Sequence, residues 1–143
     1  MTVSIILACK GREVVTIEPS ASLASAVGLL AEKRIGALLI LGVDRRIVGI
    51  LSERDIVCAL AERGAGALKE PVSQTMTRKV STCNENETVS NIMERMTDER
   101  ARHVPVVDQG KLVGMVSIGD VVKHRLQEME RDSAAMHNYI LTS

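Results

Sequence analysis

Two stretches of the chain repeat the same order of apolar and polar segments. Residues 14–44 align with residues 80–110 and, once one residue is dropped in the following turn, residues 47–57 align with residues 112–122. Each stretch contains a short extended run, a helix with one apolar face, two apolar strands around a tight turn and the start of another helix. The pattern predicts a mixed α/β (α+β) fold made of two pseudo-symmetric β-α-β-β-α repeats.

The first helix of each repeat carries its own start signal. Ser22 and Thr88 occupy N-cap positions, where a side-chain oxygen accepts a backbone N–H. Apolar residues then recur at helical spacing and define one buried face. This face comprises Leu23, Ala26, Val27 and Leu30 in the first repeat and Val89, Ile92, Met93 and Met96 in the second.

Extended segments surround these two helices. Brief runs precede them at Val14–Ile17 and Val80–Cys83. Continuous apolar runs with β-branched residues follow them, as is typical of strands covered on both faces. With their partners across a tight turn, these runs are Ala37–Val43 with Ile47–Leu51 and His103–Val107 with Leu112–Val116.

Segments outside the repeats connect them. Val3–Lys10 has helical spacing and ends at Gly11, a C-terminal stop signal, and Val72–Met76 mirrors it as a second lead-in helix. The charged segment Lys123–Asp132 continues the last helix with a solvated face. The predicted divisions are residues 1–66 (repeat 1 with its lead-in helix), 72–132 (repeat 2 with its lead-in helix) and 133–143 (a C-terminal tail that adds a turn or two).

The composition excludes several classes of binding protein. The 143 residues carry a formal net charge of zero and a single aromatic side chain, Tyr139. Proteins that bind single-stranded nucleic acid use aromatic stacking and a basic surface, and neither is encoded. The longest apolar runs, such as Ala37–Val43, are too short to cross a bilayer, and no leader segment opens the chain. We therefore expect a cytoplasmic protein without nucleic-acid or membrane partners.

Signatures of catalysis and metal binding are missing from the sequence. His103, His124 and His137 do not fall at metal-ligand spacing. No phosphate-binding glycine loop and no nucleophile motif occurs. We therefore predict no catalytic residue, no metal site and no required cofactor.

The three cysteines are Cys9, Cys58 and Cys83. Their wide spacing encodes neither a disulfide framework nor a zinc site. We expect all three to be buried thiols. The alternative is that they make the protein a thiol-dependent redox regulator.

A Gly-x-x-Ser-x-x-Asp segment follows the last strand of each repeat, from Gly49 to Asp55 and from Gly114 to Asp120. Serine at an N-cap with an acid three residues later is a capping box, which stabilises a helix start by about 1 kcal/mol. A second role is open, because a strand-end glycine lets a ligand approach the backbone and a helix start attracts phosphate. The aspartate can also accept two hydrogen bonds from a cis-diol such as a ribose. Occurrence of the segment in both repeats favours a nucleotide site.

Together, the repeats, the duplicated segment and the run Arg102–Asp108, which reads Arg-His-Val-Pro-Val-Val-Asp, resemble a pair of cystathionine-β-synthase (CBS) domains, also called a Bateman module. The resemblance covers nearly the whole chain. It implies two repeats packed sheet to sheet by pseudo-twofold symmetry as one module, with a cleft on either side. It also implies that the clefts bind adenosine-containing ligands and that two modules form a homodimer.

The resemblance places the family's ribose-binding acids at Asp55 and Asp120, with Ser52 and Ser117 as their hydroxyl companions. It implies that each cleft is completed by the other repeat. The residues expected in cleft 1 are Ser52, Arg54, Asp55, Thr77, Lys79, Val80, Arg102, His103 and Val104. Those expected in cleft 2 are Val14, Gly36, Ala37, Leu38, Ser117 and Asp120.

The two clefts are expected to differ in charge. The cations of cleft 1 are Arg54, Lys79, Arg102 and His103, and their equivalents in cleft 2 are Gly119, Glu13, Gly36 and Ala37. Because arginine presents a planar fork of donors to phosphate, only cleft 1 is expected to bind the negatively charged phosphate groups of a ligand. With no aromatic ring available, adenine is expected to lie between aliphatic walls, Val80 with Val104 and Val14 with Leu38.

The sequence thus predicts a stand-alone regulatory module and not an enzyme. Its regulatory ligand is expected to be AMP, ADP, ATP, NAD(H) or S-adenosylmethionine, and its occupancy is relayed to an effector protein of unknown identity. One alternative is a dimerisation scaffold whose clefts bind no ligand. The other is the redox regulator.

Overall fold

A computed structural model describes residues 1–142, which form five α-helices and five β-strands. In chain order these are α1 (Val3–Lys10), β1 (Thr16–Ile17), α2 (Leu23–Lys33), β2 (Ala37–Leu41), β3 (Ile47–Ser52), α3 (Glu53–Arg63), α4 (Val89–Glu99), β4 (His103–Asp108), β5 (Lys111–Ser117) and α5 (Ile118–Thr142). The mixture of helices and strands confirms the predicted α+β class.

The chain divides into two compact units. The Asp55 unit contains Glu13–Ser81 and Gln109–Leu112. The Asp120 unit contains Met1–Arg12, Thr82–Asp108 and the chain from Val113 onward. Each unit has its own buried apolar cluster.

In the Asp55 unit, β1, β2 and β3 form one sheet with β2 in the centre. β1 pairs with β2 in parallel, and β3 pairs with β2 in antiparallel register, with Leu38 opposite Leu51. Four of the five residues of β2 are buried, as its continuous apolar run predicts. The sheet therefore places the C-terminal end of β3, with Ser52, next to the start of β2.

Tight turns join β2 to β3 and β4 to β5. Asp44 and Arg45 have φ values of 58° and 57°, and Gln109 and Gly110 have φ values of 50° and 78°. Two consecutive residues with positive φ are typical of turns that match the right-handed twist of paired strands. Both predicted turns are therefore confirmed.

Strands β4 and β5 form a two-stranded sheet, which belongs to the Asp120 unit except for Lys111 and Leu112 at the start of β5. Helices α1, α4 and α5 pack together in this unit. The predicted strand Val80–Cys83 is wrong, because only Cys83 forms an isolated parallel bridge, with Val106. Turn residues follow at once, from Asn84, and leave too little extended chain for a longer pairing.

The predicted N-caps are confirmed. The Ser25 N–H donates to Ser22 Oγ and the Asn91 N–H donates to Thr88 Oγ1, each at 3.1 Å. The predicted apolar faces are buried except at Met93, which is partly buried, and at Val27, which is 37% exposed because it lies at the edge of the α2 stripe. The caps and stripes therefore orient both helices as expected.

Two connecting segments differ from the expectation. Val72–Met76 is not a helix like α1 but a 3-10 turn over Val72–Gln74 that follows Pro71. The C-terminal tail adds more than a turn or two, because α5 runs unbroken from Ile118 to Thr142.

Helix α1 packs with the second repeat. The Val3 N–H donates to Glu87 O, and the Val89 N–H donates to Met1 O. Leu7 fills the space above Gly114, where an added Cβ would lie 2.7 Å from Leu7 Cδ2. The first segment of the chain is therefore part of the core that surrounds β5.

The boundaries predicted for the two repeats, residues 1–66 and 72–132, stay a prediction.

Candidate ligand-binding site

The Asp55 carboxylate lies at the start of α3, directly after β3. Its Oδ2 accepts the Ser52 N–H at 2.9 Å and the Ser52 hydroxyl at 3.1 Å, and the Asp55 N–H donates to Ser52 Oγ at 3.3 Å. This reciprocal pattern is the predicted capping box. It fixes the carboxylate against the helix start.

Thr77 is brought to the same place by backbone pairing. Its N–H donates to Ile50 O at 2.8 Å, and the Ile50 N–H donates to Thr77 O at 2.9 Å. The Thr77 hydroxyl then donates to Asp55 Oδ1 at 3.3 Å. The structure thus brings together three residues predicted for cleft 1: Ser52, Asp55 and Thr77.

Gly49 does not provide the open backbone that the sequence predicts. A Cβ at this position would lie 2.5 Å from Met76 Sδ and 3.1 Å from Thr77 O. The equivalent space at Gly114 is filled by Leu7. The expectation of a ligand against these glycines is therefore wrong, because the lead-in segments occupy the space and the glycines serve packing.

The Asp120 carboxylate has a different neighbour. As in the other unit, its Oδ2 accepts a backbone N–H, here from Ser117 at 2.9 Å, and the Asp120 N–H donates to Ser117 Oγ at 3.2 Å. The Lys10 ammonium also donates to Asp120 Oδ2, at 2.6 Å, and to Met115 O at 2.9 Å. The second aspartate is therefore neutralised by a cation from α1.

This contact changes the acidity of Asp120. Burial alone would raise the pKa of the carboxyl group, but the hydrogen bonds from Lys10 and Ser117 and the charge of Lys10 outweigh it and hold the pKa below its ordinary value. A carboxyl group whose pKa is lowered on folding stabilises the folded state above its unfolded pKa, about 4. That contribution is lost as the pH falls through the lower, folded pKa.

Replacing Lys10 with methionine tests this linkage. We expect the free energy of unfolding at pH 7 to fall by about 1 kcal/mol or less, because the pair is partly exposed. The difference from the wild type should shrink below about pH 4, as Asp120 becomes protonated. Urea unfolding between pH 3 and 7 measures both effects. Lys111→Met removes the same charge from an exposed residue at the start of β5, and an identical pH dependence in both variants would contradict the assignment.

The other residues predicted for the two clefts are divided between the units. Arg54, Lys79 and Val80 belong to the Asp55 unit, as do Val14, Gly36, Ala37 and Leu38. Arg102, His103 and Val104 belong to the Asp120 unit. Whether these residues share a ligand stays a prediction.

Two of the expected aliphatic walls are core residues. Leu38 and Val104 are both 0% exposed, and each belongs to the apolar cluster of its own unit. Their side chains offer no surface to a ligand in this structure. Val80 and Val14 are only half-buried, so for these two residues it stays a prediction that their side chains contact adenine.

The cysteine prediction is right for one residue of three. Cys83 is buried, and burial, with a smaller contribution from Glu87, raises the pKa of its thiol to about 11. Cys9 and Cys58 are exposed, so their predicted burial is wrong. The buried stripe of α3 is carried by Ile56 and Ala59, and Cys58 lies about 200° around the helix from Ile56.

Alkylation of the native protein checks this difference. We expect iodoacetamide to modify Cys9 and Cys58 under native conditions and Cys83 only after denaturation, because a buried thiol of high pKa is a poor nucleophile. Peptide mass spectrometry counts the modified sites. Equal modification of all three in the native state would contradict the burial of Cys83.

Two negative findings concern the described part of the chain. Within residues 1–142, no group of three or more His, Cys, Asp or Glu side chains is arranged to hold a metal ion. None of the helices in the same residues combines the length and apolar character that crossing a membrane requires.

Comparison with known families supports the architecture. The sequence profile of the family described as CBS domain matches the chain twice, at residues 10–62 and 72–127. The chain belongs to the CBS domain family. The predicted resemblance to a tandem CBS pair is thereby confirmed.

Solved CBS structures align over most of the chain. The CBS-domain containing protein ATU1752 from Agrobacterium tumefaciens has a TM-score of 0.85 and 46% identity, covering 87% of this chain and 92% of that chain. The CBS domain protein PAE2072 from Pyrobaculum aerophilum, complexed with AMP, has a TM-score of 0.75 and 31% identity, covering 84% and 89%. The CBS domain pair of protein MJ0100, in complex with 5′-methylthioadenosine and S-adenosyl-L-methionine, has a TM-score of 0.80 and 28% identity, covering 90% and 98%.

The chain spans only part of two curated relatives, an uncharacterized 17.7 kDa protein from Acidianus ambivalens and the CBS domain-containing protein CBSX3 from Arabidopsis thaliana. Each is 33% identical to this chain, over 112 and 119 residues, and the chain spans 66% and 58% of their lengths.

Lys10 is the residue of this CBS pair that sequence reasoning missed. The sequence places it at the end of a lead-in helix, in the last turn before Gly11, where a lysine is ordinary. Its distance from Asp120, 110 residues along the chain, hides the contact. The available signal was the helical spacing of Val3, Ile6 and Leu7, the buried residues of α1. Lys10 continues this spacing, which places it on the same face of the helix.

Proposed function

We propose that this CBS pair is a regulatory module that binds an adenosine-containing ligand through Asp55 and signals occupancy to a partner protein. The observation that carries the proposal is the set of groups on the Asp55 carboxylate. Oδ1 accepts a long hydrogen bond from the Thr77 hydroxyl, and Oδ2 accepts one from the Ser52 hydroxyl in addition to its backbone partner.

These hydroxyl contacts resemble what a ribose would offer. At 3.1 and 3.3 Å they are longer than the usual 2.7–2.8 Å of an O–H to oxygen hydrogen bond. A cis-diol can replace them with shorter, charge-assisted bonds while the backbone bond from Ser52 stays in place. The Asp55 carboxylate is therefore oriented by the fold and open to exchange.

Asp120 is less suited to the same role. A ribose at Asp120 would compete with the Lys10 ammonium, a charged donor at 2.6 Å. Exchange of this ion pair for neutral hydroxyl groups is unfavourable because it leaves the Lys10 ammonium without its opposite charge. We propose that Asp55 is the principal ribose-binding acid.

Charge near Asp55 supports a phosphorylated ligand. Arg54 lies beside Asp55 in the first turn of α3, and Lys79 lies two residues after Thr77. Both belong to the Asp55 unit, whereas the cation beside Asp120, Lys10, is already paired with that carboxylate. Relatives whose structures contain AMP, or 5′-methylthioadenosine with S-adenosyl-L-methionine, support adenosine as the shared part of the ligand. No catalytic step is proposed.

Calorimetric titration tests the proposal. AMP, ATP, NADH and S-adenosylmethionine are titrated into the full chain, with 2′,3′-dideoxyadenosine monophosphate as the control that lacks the diol. We expect at least one adenosine ligand to bind and the dideoxy control to bind at least tenfold more weakly. At a hundred times its dissociation constant, a ligand should also stabilise the fold by about 2.7 kcal/mol. Absence of binding by all four ligands would favour a ligand-free scaffold and would overturn the proposal.

A further inference from the structure

The two capping-box carboxylates differ in the group that the segment just before a repeat presents to them. In the Asp55 unit that group is neutral, the Thr77 hydroxyl, which lies 3.3 Å from Asp55 Oδ1. In the Asp120 unit it is a cation, the Lys10 ammonium, which lies 2.6 Å from Asp120 Oδ2. Two carboxylates with the same local fold therefore meet donors of different charge.

Gly11 explains why Asp120 has no counterpart of the Thr77 hydroxyl. Continued toward the N-terminus, the alignment of the two repeats pairs Gly11 with Thr77. Gly11 has a φ of 99°, which residues with a side chain rarely adopt, and its N–H closes α1 by donating to Leu7 O at 2.8 Å. A threonine is therefore disfavoured at this position, and the residue before it, Lys10, contacts the carboxylate instead.

Helix α1 holds Lys10 in place independently of the lysine side chain. The three buried apolar residues of α1 dock the helix in the Asp120 unit, and the Val3 N–H donates to Glu87 O at 3.0 Å. The ammonium uses two of its three donors, one on Met115 O at 2.9 Å and one on Asp120. Loss of the Lys10 side chain therefore leaves the docked helix in place.

We propose that Lys10 is a latch that closes the Asp120 site to uncharged adenosine ligands and so limits each chain to one such ligand, at Asp55. The inference rests on the proposed function and adds to it the residue that sets the number of ligands bound. A neutral diol reaches Asp120 Oδ2 only by displacing the ammonium. The diol brings no negative charge, so the displaced ammonium loses its charged partner without a replacement.

The Lys10–Asp120 pair is more than an ordinary surface ion pair. Its side chains are 35% and 22% exposed, and partly buried charges are screened less by salt than exposed ones. The ammonium is also fixed by a backbone carbonyl, Met115 O. The lowered pKa of the Asp120 carboxyl group has the same cause, because Lys10 contributes to it both a hydrogen bond and a charge. The latch is therefore strong enough to oppose a neutral competitor.

Counting the bound molecules of 5′-methylthioadenosine tests the latch, because this ligand carries the ribose diol and no phosphate. Equilibrium dialysis of the full chain, at concentrations that saturate binding to the wild type, gives the number of sites per chain. Lys10→Ala removes the ammonium and most of the side chain. We expect this variant to bind one molecule more per chain than the wild type.

Arg12→Ala is the matched control. It removes one positive charge and one ion pair, that of Arg12 with Glu85, from the same unit and leaves the Lys10–Asp120 pair in place. We expect it to bind the same number of molecules as the wild type. Far-UV circular dichroism should show the same fold in both alanine variants, because α1 stays docked through its apolar face.

A double variant locates the added site. Adding Asp120→Asn to Lys10→Ala should abolish the additional site, because the amide keeps an oxygen for the Ser117 N–H but loses the negative charge that binds the diol. An added site in K10A that D120N removes supports the latch, whether the wild type binds one molecule or none.

Equal numbers of sites in the wild type and K10A would overturn the latch, as would an added site that R12A also shows or that D120N leaves in place. The proposed function fails by a different result. It fails if the wild type binds none of the adenosine ligands, or if Asp55→Ala leaves their binding unchanged.

Discussion

Replacing Asp55 with alanine should weaken the binding of AMP by about 100-fold. The substitution removes the acceptor of both ribose hydroxyls, and a hydrogen bond to a charged group contributes about 1.5–3 kcal/mol. The loss of two such bonds, counted at the lower end, is about 3 kcal/mol, and 1.4 kcal/mol corresponds to a factor of ten in affinity. Calorimetric titration of the wild type and of Asp55→Ala gives the two dissociation constants.

Glu53→Ala is the matched control for this loss. It removes the same charge from the first turn of the same helix and leaves the bonds among Ser52, Asp55 and Thr77 in place. We expect its AMP affinity to stay within about threefold of the wild type, which is about 0.7 kcal/mol. Equal weakening in both variants would show a general effect of charge, and equal affinity of D55A and the wild type would place the ribose elsewhere.

Replacing Leu51 with alanine should lower the free energy of unfolding by about 2–5 kcal/mol. Leu51 is 0% exposed and lies opposite Leu38 in the register of β2 and β3. Truncation leaves a cavity in the apolar cluster of the Asp55 unit, one residue before Ser52. Since whole domains are stable by only about 5–15 kcal/mol, this is a large fraction of the total. Urea unfolding followed by circular dichroism measures it.

Val43→Ala controls for the loss of side-chain volume without the loss of core packing. Val43 is 84% exposed in the turn between β2 and β3. Its replacement should change the free energy of unfolding by less than about 0.5 kcal/mol. A cost for Leu51→Ala no larger than that for Val43→Ala would contradict the packing of the β2–β3 core.

Local features of this fold were predictable because their causes are local. Ser22, Thr88 and the Ser52–Asp55 pair each satisfy helix N–H groups within three residues, so a short sequence pattern specifies them. The burial of β2 follows in the same way from an uninterrupted apolar run. The positions of Ser52 and Asp55 in the candidate site belong to this predictable part.

The features that sequence reasoning missed depend on contacts between distant segments. Lys10 reaches Asp120 only because α1 packs beside β5, and nothing in the repeat pattern states which repeat a lead-in helix will contact. The sequence is equally compatible with Gly49 and Gly114 as backbone open to a ligand and as sites of close packing. It does not show that Met76 and Leu7 occupy the space beside these two glycines. The exposure of Cys9 and Cys58 likewise depends on which face of each helix packs against the rest of the protein.

The packing of α1 also determines when the protein can finish folding. During synthesis Met1–Arg12 leave the ribosome before the Asp55 unit, yet these residues bond to Glu87 and Val89 and belong to the unit that contains Thr82–Asp108 and the chain from Val113 onward. Contacts between segments this far apart close large loops and form late. Most of the Asp55 unit leaves the ribosome in one continuous stretch, whereas the apolar face of α1 must wait exposed until the second half of the chain has emerged. In the interval between those two events the nascent chain exposes an apolar surface of the kind that promotes misassembly.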